Sequence, residues 1–181
     1  MKKIILLIMA INFYAFAAYI DFGAGSGNGA VLSDNFDVTD ECGSNCTNGA
    51  IEYGVRIGGH LGQKFVLAGE FDGLANVYVD GDDYMMFNSF FVGPSLIFYP
   101  GEHWQLSGSL GYAWTANRVD FDEVSLSDGN GLGMALSFGY EIGKDKGALV
   151  GAKLFATTVG VGDGETMSNG GAMLFVRFYS K

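Results

Sequence analysis

The sequence predicts an all-β protein, an eight-stranded antiparallel up-and-down transmembrane β-barrel, and three observations support this prediction. Apolar side chains alternate with small or polar ones along most of the chain, which is the period of two expected of strands. Polar or glycine-rich breaks interrupt the alternation about every twenty residues. The composition of the 181 residues agrees, with 49% hydrophobic and 14% aromatic residues, 29 glycines and only two prolines.

The composition and charge also exclude several classes of protein. A disordered chain would have few aromatic residues, and a coiled coil would be rich in Glu, Lys and Arg. Twenty acidic residues against ten basic ones give a formal net charge of −10. Because binding to nucleic-acid phosphates requires clustered Lys and Arg, we expect no nucleic-acid partner.

Residues 1–17 are predicted to be a cleaved secretory signal peptide. They begin with two lysines, continue with the apolar run Ile4–Ile11, and end with small residues at the −3 and −1 positions of Ala15–Ala17. An apolar run of eight residues is too short for the roughly 20 that a membrane-spanning helix needs. We therefore expect residues 18–181 to form one barrel domain that crosses the membrane as strands.

The rest of the chain contains eight alternating stretches. In the second of them, Ile51 and Tyr53 share one face, while Glu52 and Gly54 share the other. Most stretches exceed the usual five or six residues of a globular strand and are long enough to cross a bilayer when tilted. In chain order the predicted strands are Ala18–Leu32, Ala50–Gly62, Phe65–Val79, Tyr84–Tyr99, Trp104–Asn117, Gly131–Ile142, Gly147–Val161 and Gly170–Tyr179.

The connections between the predicted strands differ in length and charge. The odd-numbered connections include two long ones, Ser33–Asn48 and Arg118–Asn130, whereas the even-numbered connections are short. Thirteen of the 20 acidic residues lie in the odd-numbered connections. Long loops at one end and short turns at the other are typical of outer-membrane barrels, so we expect acidic extracellular loops.

The choice of the inward face separates a membrane barrel from a soluble one. A soluble, lipocalin-like barrel would place its apolar face inside, around a ligand. In this sequence the face of each strand opposite the apolar one is rich in Gly, Ala and Ser. Such small residues suit the crowded interior of a narrow membrane barrel. Large aromatic residues also occur toward the strand ends, where they are expected to form belts at the two membrane interfaces: Tyr19, Tyr53, Tyr78, Tyr84, Tyr99, Trp104, Trp114, Tyr140 and Tyr179.

The last strand carries the most specific pattern. In Met173–Phe178, apolar residues alternate and end on an aromatic residue, and Val92–Pro100 has the form of a strand running into a turn. With these segments the chain resembles the small outer-membrane barrels of the OmpA/OmpX type in Gram-negative bacteria. The resemblance implies localisation in the outer membrane and recognition of the last strand by the barrel-assembly machinery. We expect a monomer in contact with outer-membrane lipid and lipopolysaccharide.

The face with small residues also carries the main group of charges. Unpaired buried charges are costly, so these residues are expected to form a cross-strand network. Glu52 and Arg56 lie about 13 Å apart on one strand and must find partners on other strands. The network can act as a plug or as an ion path, and an eight-stranded interior that side chains fill favours the plug. The predicted lumen residues are Asp21, Glu52, Arg56, Glu70, Asp72, Glu141, Lys153 and Arg177.

The fourth strand has an ambiguous pattern. Gly93 and Ser95 indicate that odd positions face inward, but the bulky Phe87 and Phe91 are odd positions as well. Pro94 has no backbone N–H to donate, which predicts a bulge or an irregular pairing nearby.

Two further groups of residues lie in the odd-numbered connections. Cys42 and Cys46 are the only cysteines, and a secreted context predicts a disulfide that stiffens the first loop. Metal binding by these cysteines would need further ligands nearby. Asp80, Asp82 and Asp83 could contact a divalent cation shared with lipopolysaccharide, although their spacing does not match a calcium loop. We expect no resident metal and no cofactor.

The expected function is non-enzymatic, either structural or in surface interaction. One alternative is a narrow channel or a carrier for small or apolar molecules. Another is a lipid-modifying enzyme, which would need a histidine beside a serine and a carboxylate on the membrane face. Neither His60 nor His103 can be grouped in this way from the sequence, and Glu70 with Asp72 lacks a positioned nucleophile.

Overall fold

The computed structural model describes residues 18–34, 38, 42, 46–81, 83–119, 128–142, 146–161 and 164–180. The predicted signal peptide lies outside these residues and remains a prediction. Among the described residues, no helix is both long and apolar enough to span a membrane.

Eight strands form one closed barrel in which every strand pairs with its neighbours in the sequence. All pairings are antiparallel, and the last strand pairs with the first to close the sheet. The predicted up-and-down barrel is therefore confirmed. The strands are β1 (Ala18–Ser33), β2 (Thr47–His60), β3 (Phe65–Asp80), β4 (Asp83–Phe98), β5 (Trp104–Val119), β6 (Asn130–Ile142), β7 (Lys146–Gly160) and β8 (Thr166–Ser180).

Each predicted strand corresponds to one observed strand, and the largest differences lie at the end that carries the long connections. β2 begins at Thr47, which pairs with Val79, and β8 begins at Thr166, which pairs with Gly160. Backbone pairing continues here past the point where the sequence stops alternating. Hydrogen bonding between strands does not require an apolar face, so alternation underestimates strand length where both faces are polar.

The outward face of the barrel is apolar and the inward face is polar. Phe22, Leu136 and Leu174 point outward with 58%, 57% and 74% of their surface exposed. Asp21 and Arg177 point inward with 0% and 1% exposed. This arrangement is that of a barrel in a lipid bilayer and the reverse of a soluble barrel. Closed barrels of this kind span bacterial outer membranes, which agrees with the localisation predicted from the sequence.

The prediction of aromatic belts is wrong for four tyrosines. These side chains are buried inside the barrel, because their positions share the inward face of their strands: Tyr19, Tyr78, Tyr99 and Tyr179. Three of the hydroxyl groups have hydrogen bonds there. That of Tyr19 donates to Asp21 Oδ2 at 2.6 Å, that of Tyr78 accepts from the backbone N–H of Val31 at 3.2 Å, and that of Tyr99 accepts from Gln105 at 2.9 Å. The remaining tyrosines near strand ends do face outward, as do both tryptophans: Tyr53, Tyr84, Trp104, Trp114 and Tyr140.

The structure resolves the ambiguity in β4. Its odd positions from Met85 to Ile97 face inward, including Phe87 and Phe91, which are fully buried. Pairing with β5 is interrupted around Pro94 but resumes in the same register, from Val92 opposite Tyr112 to Ser95 opposite Ser109. The expected irregularity is present, but it is not a bulge, because a bulge would insert a residue and shift the register.

Replacing Leu136, at the centre of β6, by arginine places a charge against the hydrocarbon of the bilayer. We expect L136R to lower the free energy of unfolding by about 2–4 kcal/mol, the usual cost of such a residue near the midplane. Equilibrium urea unfolding of the full chain in phospholipid vesicles, followed by tryptophan fluorescence, measures this loss.

The matched control is L32R, at the penultimate position of β1. Leu32 also faces outward, with 71% of its surface exposed, but lies at a strand end. Near the membrane interface the cost of arginine falls to about 0–1 kcal/mol. An equal loss at both positions would contradict a depth-dependent lipid environment.

Candidate functional site: the charged lumen

Side chains fill the interior of the barrel in layers, and β3 crosses all of them. Its first inward residues, at the short-turn end, are apolar; two carboxylates follow, then an apolar residue, an amide and a tyrosine. All seven are buried, and neighbouring strands extend each layer across the lumen. In order from the short-turn end they are Val66, Ala68, Glu70, Asp72, Leu74, Asn76 and Tyr78.

Arg177 of β8 lies at the centre of the charged layer. Its Nη1 donates to Asp21 Oδ1 at 2.9 Å, and its Nη2 donates to Glu52 Oε1 at 2.8 Å and to Asp72 Oδ1 at 3.0 Å. One guanidinium thus joins carboxylates from β1, β2 and β3. The planar fork of donors suits this bridging role, because each nitrogen can reach a different carboxylate.

Lys153 of β7 is the second bridge. Its ammonium donates to Glu52 Oε1 at 2.9 Å and to Glu70 Oε1 at 3.2 Å, and it contacts Asp72 Oδ2. Lys153 and Arg177 therefore share two carboxylates, and the cluster is one connected network. Buried charges of this kind are tolerated only when they are paired and hydrogen-bonded.

Arg56 of β2 connects the charged layer to neutral groups. It donates through Nε to Asp21 Oδ2 at 2.7 Å, through Nη1 to Ser107 Oγ at 2.9 Å and through Nη2 to Gln105 Oε1 at 3.0 Å. Gln105 in turn donates to the hydroxyl group of Tyr99 at 2.9 Å. The guanidinium is thus fully engaged between one carboxylate and polar side chains from β5.

The structure brings seven of the eight predicted lumen residues into this single network. The eighth, Glu141 of β6, is also buried on the inward face but lies toward the short-turn end. It stands opposite Leu149 in the pairing with β7, and its backbone N–H donates to the carbonyl oxygen of His103 at 2.7 Å.

Apolar and amide layers close the lumen on the loop side of the charges. The first layer contains Ala50, Leu74, Phe91, Ala135, Phe155 and Met173. Next to it, Asn169 donates to Ser89 Oγ at 2.7 Å and is hydrogen-bonded to Asn76. The sequence interpretation missed this amide layer, although the inward parity of these positions could have found it.

The first loop contributes to a second apolar layer at the outer mouth. Val38 and Cys42 are 3% and 0% exposed and pack with side chains from β1, β3, β4, β5, β7 and β8. The cysteines form the predicted disulfide, Cys42–Cys46, with a Cα–Cα distance of 5.4 Å. Val38 and the disulfide-bonded cysteines therefore pack into the barrel mouth, a placement that the loop composition does not reveal.

Asp34 fastens the start of this loop to β8. Its Oδ2 accepts hydrogen bonds from the backbone N–H and the hydroxyl group of Thr166, at 3.0 and 2.9 Å. These hydrogen bonds, the backbone one first, hold the pKa of the exposed Asp34 carboxyl below its usual value.

The proposed cation-contact residues are only partly described. Asp80 and Asp83 stand opposite each other at the β3–β4 turn, where Gly81 adopts a positive φ of 64°. Asp82 and the side chain of Asp83 lie outside the described residues. Within the described part of the chain, no group of acidic, histidine or cysteine side chains has the arrangement of a metal site.

Glycines on the inward face make room for the long polar side chains. The aliphatic part of Arg177 lies over Gly23 of β1, and the amide of Asn76 lies over Gly29 of the same strand. A Cβ atom at either glycine would occupy the space of those side chains. The small residues on the inward face of β1 therefore leave room for long polar side chains from β8 and β3.

Comparison with known proteins supports the fold. No family model and no curated protein matches the sequence. Ail, the attachment invasion locus protein of Yersinia pestis, matches with a TM-score of 0.55 at 12% identity, over 90% of this chain and 98% of that chain. Its complex with the heparin analogue sucrose octasulfate gives a TM-score of 0.59 at the same identity and coverage.

Neisserial surface protein A (NspA) is similar to the same extent. It has a TM-score of 0.55 at 13% identity, over 89% of this chain and 96% of that chain. At these identities the likeness shows a shared fold, that of the small eight-stranded outer-membrane barrels. It agrees with the OmpA/OmpX-type resemblance of the sequence.

The packing of Asn76 over Gly29 predicts the effect of a methyl group. We expect G29A to lower the free energy of unfolding by about 1–3 kcal/mol, because overpacking displaces the amide layer. The control is G49A on β2, where a Cβ meets nothing within 4 Å and the change should stay within about 0.5 kcal/mol. Urea unfolding in vesicles compares them, and equal effects would contradict this packing.

Removing Arg56 tests the charged layer. R56M leaves Asp21 with fewer donors, and we expect a loss of about 3–5 kcal/mol in the free energy of unfolding. The double variant D21N/R56M removes both charges and should recover most of that loss, because a neutral pair needs no counter-charge. The same unfolding assay distinguishes the two, and a double variant as unstable as R56M would contradict charge compensation.

Proposed function

We propose that this protein is a non-enzymatic outer-membrane barrel with a structural or surface-interaction role, exerted through the loops at its outer end. The observation that carries the proposal is the filled lumen. Apolar layers on both sides of the charged layer and an amide layer on its loop side succeed one another along the barrel axis. In a barrel whose interior is filled, partners can bind at the loops of the outer end but cannot pass through the lumen.

The arrangement of the closing layers supports a plug rather than an ion path. Phe91 and Phe155 meet edge to face above the charges, with ring centroids 6.3 Å apart. Arg177 and Lys153 are held by several carboxylates at once, which fixes them in place. An ion entering this layer would have to displace those contacts in a low-dielectric interior.

The positions of the histidines support a non-enzymatic role. The ring of His60 lies edge-on to Tyr19 at a centroid distance of 6.3 Å. His103 lies against Tyr140 at 5.4 Å. Both rings contact aromatic side chains at the short-turn end, away from the outer leaflet where a lipid-modifying site would meet lipopolysaccharide.

The acidic loops define the kind of partner that we propose. The connections after β1, β3, β5 and β7 lie at one end of the barrel, and together with Asp80 and Asp83 at the adjoining strand ends they contain thirteen of the 20 acidic residues. Such an end attracts basic surfaces and repels polyanions. The partner of this barrel is therefore basic, in contrast to the sulfated heparin analogue in the Ail complex.

The remaining partners follow from the membrane setting. The apolar exterior would contact outer-membrane lipid, and lipopolysaccharide phosphates would lie near the acidic loops with divalent cations shared between them, Asp80, Asp82 and Asp83 being the densest group. The alternating pattern of β8 would be read by the barrel-assembly machinery. The closed sheet leaves no strand edge for self-association, which supports a monomer.

Binding of the full chain in lipid nanodiscs, where both ends are accessible, tests the role of the loops. We expect capture on a polylysine surface, weaker at high salt, and no capture on heparin. Neutralising one loop should reduce capture on polylysine severalfold, since charge complementarity governs encounter. The loop variant replaces four acids by their amides: Asp120, Asp122, Glu123 and Asp128.

The matched control neutralises Glu102 and Asp145 at the short-turn end, which should leave capture unchanged. Equal losses in both variants, or equal binding to heparin, would contradict the proposal. The channel alternative is tested with the same protein in planar bilayers. A steady ion conductance of the wild-type barrel would favour the channel over the plug.

A further inference from the structure

The charged layer contains more carboxylates than cations. Four buried acids, Asp21, Glu52, Glu70 and Asp72, face three buried bases, Arg56, Lys153 and Arg177. Each of the seven is at most 2% exposed. An uncompensated charge in such a place is expensive, and buried groups respond by becoming neutral. The geometry must therefore provide a place for one additional positive charge.

The contacts of Glu70 and Asp72 identify that place. Both project inward from β3, two residues apart, and the ammonium of Lys153 lies between them. Glu70 Oε1 and Asp72 Oδ2 thus share one cationic nitrogen. Two ionised carboxylates that share one cation repel each other, and a proton on one of them relieves that repulsion. The pair is therefore the position where the additional positive charge is most favourable.

Glu52 is the competing position, and its contacts disfavour it. Lys153 and Arg177 both donate to its Oε1, while its Oε2 is buried without a hydrogen-bond partner in the described residues. A proton on Oε2 would have no acceptor. Each carboxyl oxygen of Glu70 and Asp72, in contrast, has a polar group beside it.

We propose that Glu70 and Asp72 form a proton-binding site in the lumen, in which one proton is shared between the two carboxyl groups at neutral pH. The proton makes the charged layer neutral, with three negative and three positive groups. The ligand is H⁺ rather than a metal ion, since the oxygens of the pair are already occupied by donors: Ser109 on Glu70, Arg177 on Asp72 and Lys153 on both.

The charges that face the pair come from four other strands. Asp21 of β1 and Glu52 of β2 add negative potential, which favours the bound proton. Arg56 of β2, Lys153 of β7 and Arg177 of β8 add positive potential, which opposes it. From β4 and β5 the nearby groups are the hydroxyls of Ser95 and Ser109, which do not titrate.

The proposal predicts the sign of a pH dependence. The folded barrel keeps a proton that the unfolded chain releases above the ordinary pKa of a carboxyl group, about 4. Folding is therefore coupled to proton uptake, and stability rises as pH falls toward that value. Between about pH 7 and about pH 5, the unfolding equilibrium constant should fall by up to tenfold per pH unit.

Equilibrium urea unfolding of the full chain in vesicles at several pH values tests this coupling. We expect the wild type to show the dependence and D72N to lack it, because the amide removes the fourth buried negative charge and with it the need for a proton. The matched control is D34N, which removes an exposed acid outside the lumen and should keep the wild-type dependence. E70Q serves as the second variant of the pair and should behave as D72N does.

Infrared spectroscopy of the wild type provides a readout that does not depend on any variant folding. A C=O stretching band of a protonated carboxyl group should be present at neutral pH and absent from folded D72N or E70Q. Absence of that band from the wild type would overturn the proposal. So would a stability that follows Na⁺ concentration at constant pH instead of pH itself, since a metal cation would then supply the missing charge.

Discussion

The structure depends on the mutual compensation of buried charges, because side chains fill the interior in which these charges lie. Eight strands leave an interior that side chains fill, so each buried carboxylate must be matched by a base or a proton. Arg177 and Lys153 provide this by joining acids from β1, β2 and β3. Clusters of buried apolar side chains lie on either side of the charges, and such low-dielectric surroundings strengthen both the attraction within the network and the cost of any missing partner.

The glycines of the inward face belong to the same constraint. A long polar side chain on the inward face needs space above the strands beside it. Gly23, the pairing partner of Arg177 on the adjacent strand, and Gly29 beneath Asn76 provide that space on β1. Glycine weakens an isolated strand. In the barrel, β1 is stabilised by backbone pairing with β2 and with β8. The glycine-rich composition therefore reflects the demands of the lumen more than those of the turns.

Strand parity accounts for most of what could be predicted from the sequence. Alternation identified eight strands and the inward face, because lipid and lumen impose opposite demands on successive residues. It could not identify ion partners such as Asp21 and Arg177, since these depend on how the strands are staggered across the closed sheet. The belt assignment of Tyr19 and Tyr78 was wrong because it followed position near a strand end instead of parity. The burial of Val38 and Cys42 had no periodic signal at all.

The distribution of charges along the chain has a consequence for assembly. All four carboxylates of the network belong to the first three strands, whereas Lys153 and Arg177 belong to the last two. Before β8 pairs with β1, the carboxylates of the first three strands therefore lack two of their three cationic partners. The step that closes the sheet also brings the last two bases to the acids, so an incomplete barrel differs from a finished one in its charge pairing. Because these ion pairs join the first strands to the last, they form only when the sheet closes. We therefore expect closure to be cooperative, since a half-formed barrel lacks the ion pairs that stabilise the complete one.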